Sequence, residues 1–409
     1  MADNLKPRDA TEVEFIVRAA LAEEKTLEVI GCGTKRAIGR AAQWDATLDL
    51  SELSGVTLYE PEELVLSAKA GTPLAEIEAL VAASHQELAF EPMDYGPLLG
   101  VPAAGATIGG VLASNLGGPR RIKAGAARDH FLGVSAVSGR GEVFKSGGRV
   151  VKNVTGYDLC KVIAGSWGTL AVMTDVTIKT LPRAETEASV LVLNLGDAAA
   201  SKAMTAAMGS YGDVSAAAHL PDGVAARITE VASSRVAVTA FRLEGVAPSV
   251  AQRKAVLEEV VAPFGSLAAL DEQASRAFWR SVRDVMPFAV AGPSGGHDLW
   301  RVSTAPTAGP SVGRTLADKA GAEILYDWAG GLVWAALPAA DDAHAVLVRA
   351  TVAAVGGGHA TLVRAPAAVR AAVDVFSPEP APVAALTGRI RKSFDPQGVL
   401  NPGRMWAGV

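Results

Sequence analysis

Glycine density between Gly105 and Pro182 limits the folds open to this chain more than any other feature. One cluster runs through Thr107, Ile108, Gly109 and Gly110 to Gly117 and Gly118. A basic step follows at Pro119, Arg120 and Arg121, and a second cluster holds Gly165, Ser166, Trp167, Gly168 and Thr169. Apolar runs of strand length lie between them. A residue without Cβ lets main-chain N–H groups come close to a flat or anionic group and takes positive φ freely. The segment therefore predicts a cofactor cradle made of loops mounted on a sheet.

The 409 residues leave room for two or three domains at roughly 150 residues each. Hydrophobic residues make up 49% and charged ones 20%, enough to bury a large core. A net charge of −5 with scattered basic residues excludes the electrostatic footprint of a nucleic-acid binder and a polybasic membrane patch. Met1 to Asp9 mixes charge and proline without an apolar stretch, so no secretory signal is expected. No apolar run reaches the roughly 20 residues of a spanning helix, which reads as a cytoplasmic protein. Cys32 and Cys160 are the only cysteines; they form no C-x-x-C pair and cannot supply the thiolates of an iron–sulfur cluster. Any such cluster must sit on another chain.

Hydrophobic periodicity gives an α+β reading. Thr11 to Lys25 and Thr72 to Ala83 read as helices; Leu27 to Ile30, Thr47 to Leu50 and Val65 to Ala70 read as strands. Strands are expected at Leu132 to Val137, Glu142 to Lys145 and Leu170 to Ile178, with Gly139-Arg140-Gly141 as a tight hairpin. Beyond Leu181-Pro182 the chain turns Ala-rich, and two rounds of strands and helices predict an antiparallel sheet with helices on one face. Pro366 to Pro382 reads as a linker or surface loop, and Val383 to Phe394 as a final helix.

Gly31-Cys32-Gly33-Thr34-Lys35 follows a strand, as a phosphate-binding turn should, yet matches neither G-x-G-x-x-G before a helix nor the Walker spacing. Its significance comes from the later glycine clusters, because a dinucleotide needs several backbone surfaces. Gly31 to Lys35, Thr107 to Gly110, Arg128-Asp129, Lys152-Asn153, Gly156-Tyr157-Asp158-Leu159, Gly165 to Leu170 and Asn401-Pro402-Gly403-Arg404-Met405 fall in the order found in vanillyl-alcohol-oxidase-type (PCMH-type) flavoproteins. With Gly118-Pro119-Arg120-Arg121 and the Asn-Pro-Gly-Arg-Met tail, the chain resembles the family of FAD-binding E subunits of glycolate oxidases.

That resemblance implies a two-part FAD-binding domain over 1–182, an inserted α+β cap over 183–382 and a C-terminal segment, 383–409, returning to the first domain. It implies that Gly31, Cys32, Gly33, Thr34 and Lys35 wrap the FAD diphosphate. Gly105, Thr107, Ile108, Gly109, Gly110, Ser114 and Asn115 would form a second wall, and Gly165, Gly168, Thr169, Val172 and Thr174 would meet the adenosine end. Pro92, Arg128, Asp129 and Gly403 complete the implied cofactor set, and Asn401 would close over the flavin ring. Some relatives attach the ring through a His in the first loop; none lies between Gly31 and Arg40, so non-covalent FAD is expected.

Candidate catalytic residues are Arg301, His359 and Asn401. A strand-borne arginine suits the carboxylate of a 2-hydroxy acid. Relatives that oxidise such acids carry a glycine-flanked His with a nearby His-x-His pair; here Gly357-Gly358-His359 runs into Ala-Thr-Leu and no His-x-His exists. No catalytic metal is expected, and a structural role for His359 stays open. His85, His130, His219, His297 and His344 carry no metal or base spacing. The implied function is the FAD-carrying subunit of a glycolate oxidase, oxidising glycolate to glyoxylate beside a second flavin subunit and an iron–sulfur subunit, with peripheral membrane association through those partners. Two other readings stay open: a stand-alone lactate-type 2-hydroxy acid dehydrogenase, and a non-catalytic assembly subunit.

Overall fold

The computed structural model describes residues 3–149 and 156–407; Lys152-Asn153 of the family pattern lies outside them. The chain opens with the helix Ala10–Ala22, whose first turn is capped by the Asp9 carboxylate accepting from the Thr11 and Glu12 amides at 2.9 Å. Val13, Val17 and Ala20 share its buried face and cover a parallel sheet of Asp3–Leu5, Ala46–Asp49 and Leu27–Ile30. The C-terminus returns to this sheet: Leu400 bridges Leu27 in parallel, and the Asn401 amide donates to the Leu27 carbonyl at 2.9 Å.

A five-stranded antiparallel sheet stands beside it, in the order Val56–Glu60, Val65–Lys69, Ala171–Lys179, Phe131–Ser138, Val143–Gly147. The expected Gly139-Arg140-Gly141 hairpin closes the last pair, with Gly141 at φ +70° donating to the Ser138 carbonyl. The helices Leu74–Ala83 and Ile108–Ser114 fill the core on this sheet. The second is a departure from the expected loop: Thr107 caps it, its hydroxyl accepting from the Gly110 amide at 3.2 Å, so Gly109 and Gly110 are helical.

From Thr186 to Arg364 the chain builds one eight-stranded antiparallel sheet, ordered Ser266–Leu270, Thr186–Leu193, Val238–Gly245, Ala216–Leu220, Glu323–Asp327, Leu332–Leu337, Asp298–Ser303, His359–Arg364. The helices Asp197–Met208, Ala247–Val261, Gly309–Ala320 and Ala345–Ala354 cover one face. The other face packs on the first domain through Met93, Tyr95 and Leu98 and on the helix Glu272–Arg283. That helix was not expected, because three arginines mask the i, i+3, i+4, i+7 spacing of its buried Ser275, Phe278, Trp279 and Val282. The linker expected over 366–382 is also corrected: it holds the helix Ala367–Ala372 and buries Val369 and Val375 in the core. Apolar side chains turned inward among the prolines make it part of the domain.

A buried ion network joins the two halves. Arg120 pairs with Glu87 at 2.5 Å and Glu244 at 2.7 Å, and Arg242 with Glu91 at 2.5 Å and Glu187 at 2.8 Å. Burial alone would raise the Glu91 carboxyl, but Arg242 and Arg120 outweigh it and hold it down at about 2.

The dinucleotide cleft and the pocket beside it

The strand Leu27–Ile30 delivers Gly31 to Lys35 to the edge of a cleft of about 710 Å³, and the helix Ile108–Ser114 forms the facing wall. Two glycines allow close packing here: Gly31 brings the first loop against Thr107 at the start of the helix, and Gly109 seats the helix on Ala70. A Cβ on Gly31 would lie 2.3 Å from the Thr107 hydroxyl oxygen, and one on Gly109 would lie 2.7 Å from the Ala70 carbonyl oxygen. Part of the glycine density thus lets backbone meet backbone, a packing role the sequence reading had assigned to the ligand. Lys35 brings a cation into this wall, its Nζ 5.9 Å from the centre of the Tyr95 ring. Burial pushes its ammonium down to about 8, with the Asp94 charge opposing the shift. A cation held among backbone amides fits an anionic diphosphate.

The structure brings Gly31, Cys32, Gly33, Thr34, Lys35, Thr107, Gly109, Gly110, Ser114 and Gly168 to the cleft. Gly105 approaches the first loop, a Cβ there lying 3.0 Å from the Thr34 methyl, and Ile108 faces the core. Several expected residues stand elsewhere. Pro92 bridges Gly117 on the far side. Arg128 and Asp129 are exposed, with Asp129 accepting from the Ala126 amide at 2.8 Å. Along the strand Ala171–Lys179 the alternation of side chains decides: Ala171 and Met173 line the cleft, while Val172 faces the opposite core and the Thr174 hydroxyl donates to the Ser135 carbonyl at 3.1 Å. Thr169 spends its hydroxyl on the Ser166 carbonyl at 2.7 Å.

Gly403 turns the tail at φ +75° without lining the cleft; the next residue, Arg404, does line it, and sequence reasoning passed over it. Its guanidinium donates to the Lys35 carbonyl at 2.9 Å and lies 5.8 Å from the Trp167 ring centre. Asn401 is buried completely, its Oδ1 accepting from the Val29 amide and its Nδ2 donating to the Trp167 carbonyl, both at 2.9 Å. It staples the first loop's strand to the second glycine cluster from behind, which is a positioning role. The expectation that it closes over a ring is corrected by those bonds.

A second pocket of about 870 Å³ adjoins the cleft, sharing Ser114 and Trp167 with it. Asn115, Gly165 and Met405 form its floor, and the eight-stranded sheet contributes Arg301, Ser303, His359 and Thr361. Arg301 and His359 fall together because their strands are neighbours, with Arg301 opposite Thr361 and Ser303 opposite His359. Trp328, also missed, stands in the wall and donates from its indole to the Gly118 carbonyl at 3.0 Å. Beneath it, the Asp327 carboxylate accepts from the Trp328 amide at 2.7 Å. Burial pushes the Asp327 carboxyl up to about 8, with Glu91 adding to the rise and Arg301 and Arg242 opposing it. Among the described residues, no three His, Cys, Asp or Glu side chains cluster for a metal.

Asp327 has a measurable consequence. An unfolded aspartate ionises near about 4, so between that pH and about 8 the folded chain holds a proton the unfolded chain has released. Its contribution to stability is complete at low pH and is lost as pH rises through that window. Asp327→Asn, which keeps an oxygen for the Trp328 amide, should unfold in urea with about 1–3 kcal/mol more stability than the parent near pH 8, the gap closing near pH 4.

A glycine-walled cleft set between a parallel and an antiparallel sheet, under an eight-stranded cap, defines a flavoprotein of the vanillyl-alcohol-oxidase type. Known proteins agree. A family model for the FAD binding domain matches residues 4–147. The chain is 31% identical to the glycolate oxidase subunit GlcE of Escherichia coli (strain K12), over 96% of this chain and 95% of that one. It is 32% identical to a D-lactate dehydrogenase of Archaeoglobus fulgidus over 44% of this chain and 38% of the relative. The solved structure of p-cresol methylhydroxylase with substrate bound superposes with a TM-score of 0.72 at 13% identity, covering 98% of this chain and 88% of that one. The chain belongs to the family of FAD-binding glycolate oxidase subunits that includes GlcE. It is an FAD-dependent oxidoreductase.

With FAD as the ligand, Lys35 gives the cleft a pH dependence. The diphosphate attracts the protonated ammonium, which empties above about 8. FAD affinity should fall by up to about tenfold between about pH 7 and about pH 9. Lys35→Met should bind more weakly at the lower pH and show a flat profile, as read by flavin fluorescence titration of the apoprotein.

Proposed function

We propose that the chain is the FAD-carrying E-type subunit of a glycolate oxidase assembly and that its own pocket takes the carboxylate of a 2-hydroxy acid. The observation that carries this reading is Arg301: a guanidinium without a carboxylate partner among the described residues, lining a pocket continuous with the FAD cleft. Burial lowers its pKa, yet an arginine remains charged, and a substrate carboxylate supplies the missing counter-charge in a bidentate fork.

The pocket's residues divide the work. Arg301 holds the carboxylate and fixes the orientation of C2. His359, at the rim on the neighbouring strand, is placed to accept the hydroxyl proton as the C–O bond becomes a carbonyl. Phe376 and Met405 exclude water from the same space. FAD, when bound, supplies the hydride acceptor for the hydrogen leaving C2. Arg404, Asn401 and Trp167 keep the first loop and the second glycine cluster in register.

The relative's name as a subunit supports an assembly, and the resemblance of the chain supports a second flavin subunit and an iron–sulfur subunit as its other members. With only Cys32 and Cys160, onward one-electron transfer through a cluster requires another chain. No helix among the described residues is long and apolar enough to cross a membrane, so attachment to one would come through those partners. The absence of a His in the first loop supports non-covalent FAD; acid precipitation should leave the protein pellet colourless.

The decisive experiment is anaerobic addition of glycolate and of each lactate enantiomer to the purified FAD-loaded chain, alone and with its co-purified partners. Bleaching of the flavin by glycolate supports the reading. Bleaching of the isolated chain by lactate in preference to glycolate favours the stand-alone dehydrogenase. A chain that bleaches with none of them, even with partners present, is the assembly subunit.

A further inference from the structure

We infer that the pocket beside the FAD cleft is built for a substrate with two carboxylates, a short 2-hydroxy diacid, and that Arg121 holds the second one. This rests on the reading of Arg301 as the carboxylate anchor and extends it. The guanidinium carbons of Arg121 and Arg301 each lie 4.9 Å from the centre of the Trp328 ring. Two cations are thus gathered on one indole, and that indole is fixed by its hydrogen bond to the Gly118 carbonyl at 3.0 Å.

Like charges brought this close repel, and burial makes the repulsion worse. Folded proteins compensate such pairs with acids, as this chain does a short distance away, where Arg120 and Arg242 are surrounded by Glu87, Glu91, Glu187 and Glu244. Around Arg121 and Arg301 nothing comparable is found. No Asp or Glu lines their pocket, and neither has an ion-pair partner among the described residues. The acids whose charges reach the pair stand outside the pocket: Asp327, beside Arg301, has an oxygen committed to the Trp328 amide, and Asp129, beside Arg121, is exposed and accepts from the Ala126 amide. The stacking on Trp328 offsets part of the cost, but two net charges remain. One carboxylate neutralises one guanidinium. A diacid neutralises both, and its hydroxyl-bearing carbon is then suspended between two fixed forks, which defines its orientation better than a single anchor does.

The two arginines come from separate parts of the chain. Arg301 sits on the strand next to the edge of the eight-stranded sheet, while Arg121 opens the short helix Arg121–Ala124 beside the FAD cleft. A diacid would therefore bind across the two domains, and Arg121 would discriminate diacids from monoacids without being needed for the latter.

Acids without a hydroxyl test this free of turnover. Malonate and acetate are titrated into the FAD-loaded protein by calorimetry, with the parent chain, Arg121→Gln, Arg121→Lys and Arg301→Met compared. Malonate should bind at least about tenfold more tightly than acetate. Arg121→Gln should remove that advantage and leave acetate within about twofold, Arg121→Lys should restore part of it, and Arg301→Met should weaken both acids. Equal affinities of the parent for the two acids overturn the inference and leave the monocarboxylate reading standing. An equal loss for both acids in Arg121→Gln also overturns it, by showing Arg121 to be structural. Failure of the parent to bind either acid sinks both readings.

Discussion

Arg301→Met should lower kcat/KM for the 2-hydroxy acid by about a hundredfold to a thousandfold while FAD stays bound. The size follows from what the substitution removes. A charge-assisted fork between a guanidinium and a carboxylate in a pocket shielded from water accounts for about 3–4 kcal/mol, well above the roughly 1 kcal/mol of an exposed pair. The methionine keeps most of the side chain's volume against Trp328 and Trp334, both now stacked on the guanidinium, so the sheet should not collapse. The same kinetics with Arg301→Lys separates charge from geometry: an ammonium restores the attraction but cannot form the fork. If both variants retain parental kcat/KM, the carboxylate is held elsewhere.

The second large effect concerns stability. Arg242 is 5% exposed and serves Glu91, Glu187 and Glu244 at once. Arg242→Met should cost about 3–5 kcal/mol, because it leaves carboxylates buried without their cation. Glu91, held at about 2 in the parent, would lose its main partner and take up a proton far more readily. In the parent, the stability supplied by a depressed carboxyl is present above the unfolded value near about 4 and is lost as pH falls through about 2. In the variant that acid-side loss should vanish, while urea midpoints near neutral pH should drop steeply. Unchanged midpoints would show that the network adds nothing to the contact between the domains.

The sequence was most legible where backbone chemistry alone decides. The turn Gly31 to Lys35 and the hairpin at Gly139 to Gly141 depend on local φ preferences and on residues with no Cβ. Such requirements are written into single positions; the returning tail at Asn401 was expected from the family resemblance alone. The strand Ala216–Leu220 was less legible, since five residues with three alanines show no alternation, and both of its faces are buried by other segments. The strand His359–Arg364 was hidden in the same way, behind a run of three glycines.

The candidate site divides along that line. Composition and spacing by themselves gave a glycine-rich cofactor cradle and a strand-borne arginine, because close approach to a flat or anionic group restricts residue type locally; that the cofactor is FAD came from the family resemblance. Only the tertiary structure decided that Arg121 meets Arg301 on Trp328, that Asn401 works from behind, and that Ala171 and Met173 line the cleft in place of Val172 and Thr174. Those facts depend on which face of a strand turns inward and on which distant segments share a wall. Long-range packing sets both, and no window of sequence contains the partners that determine it.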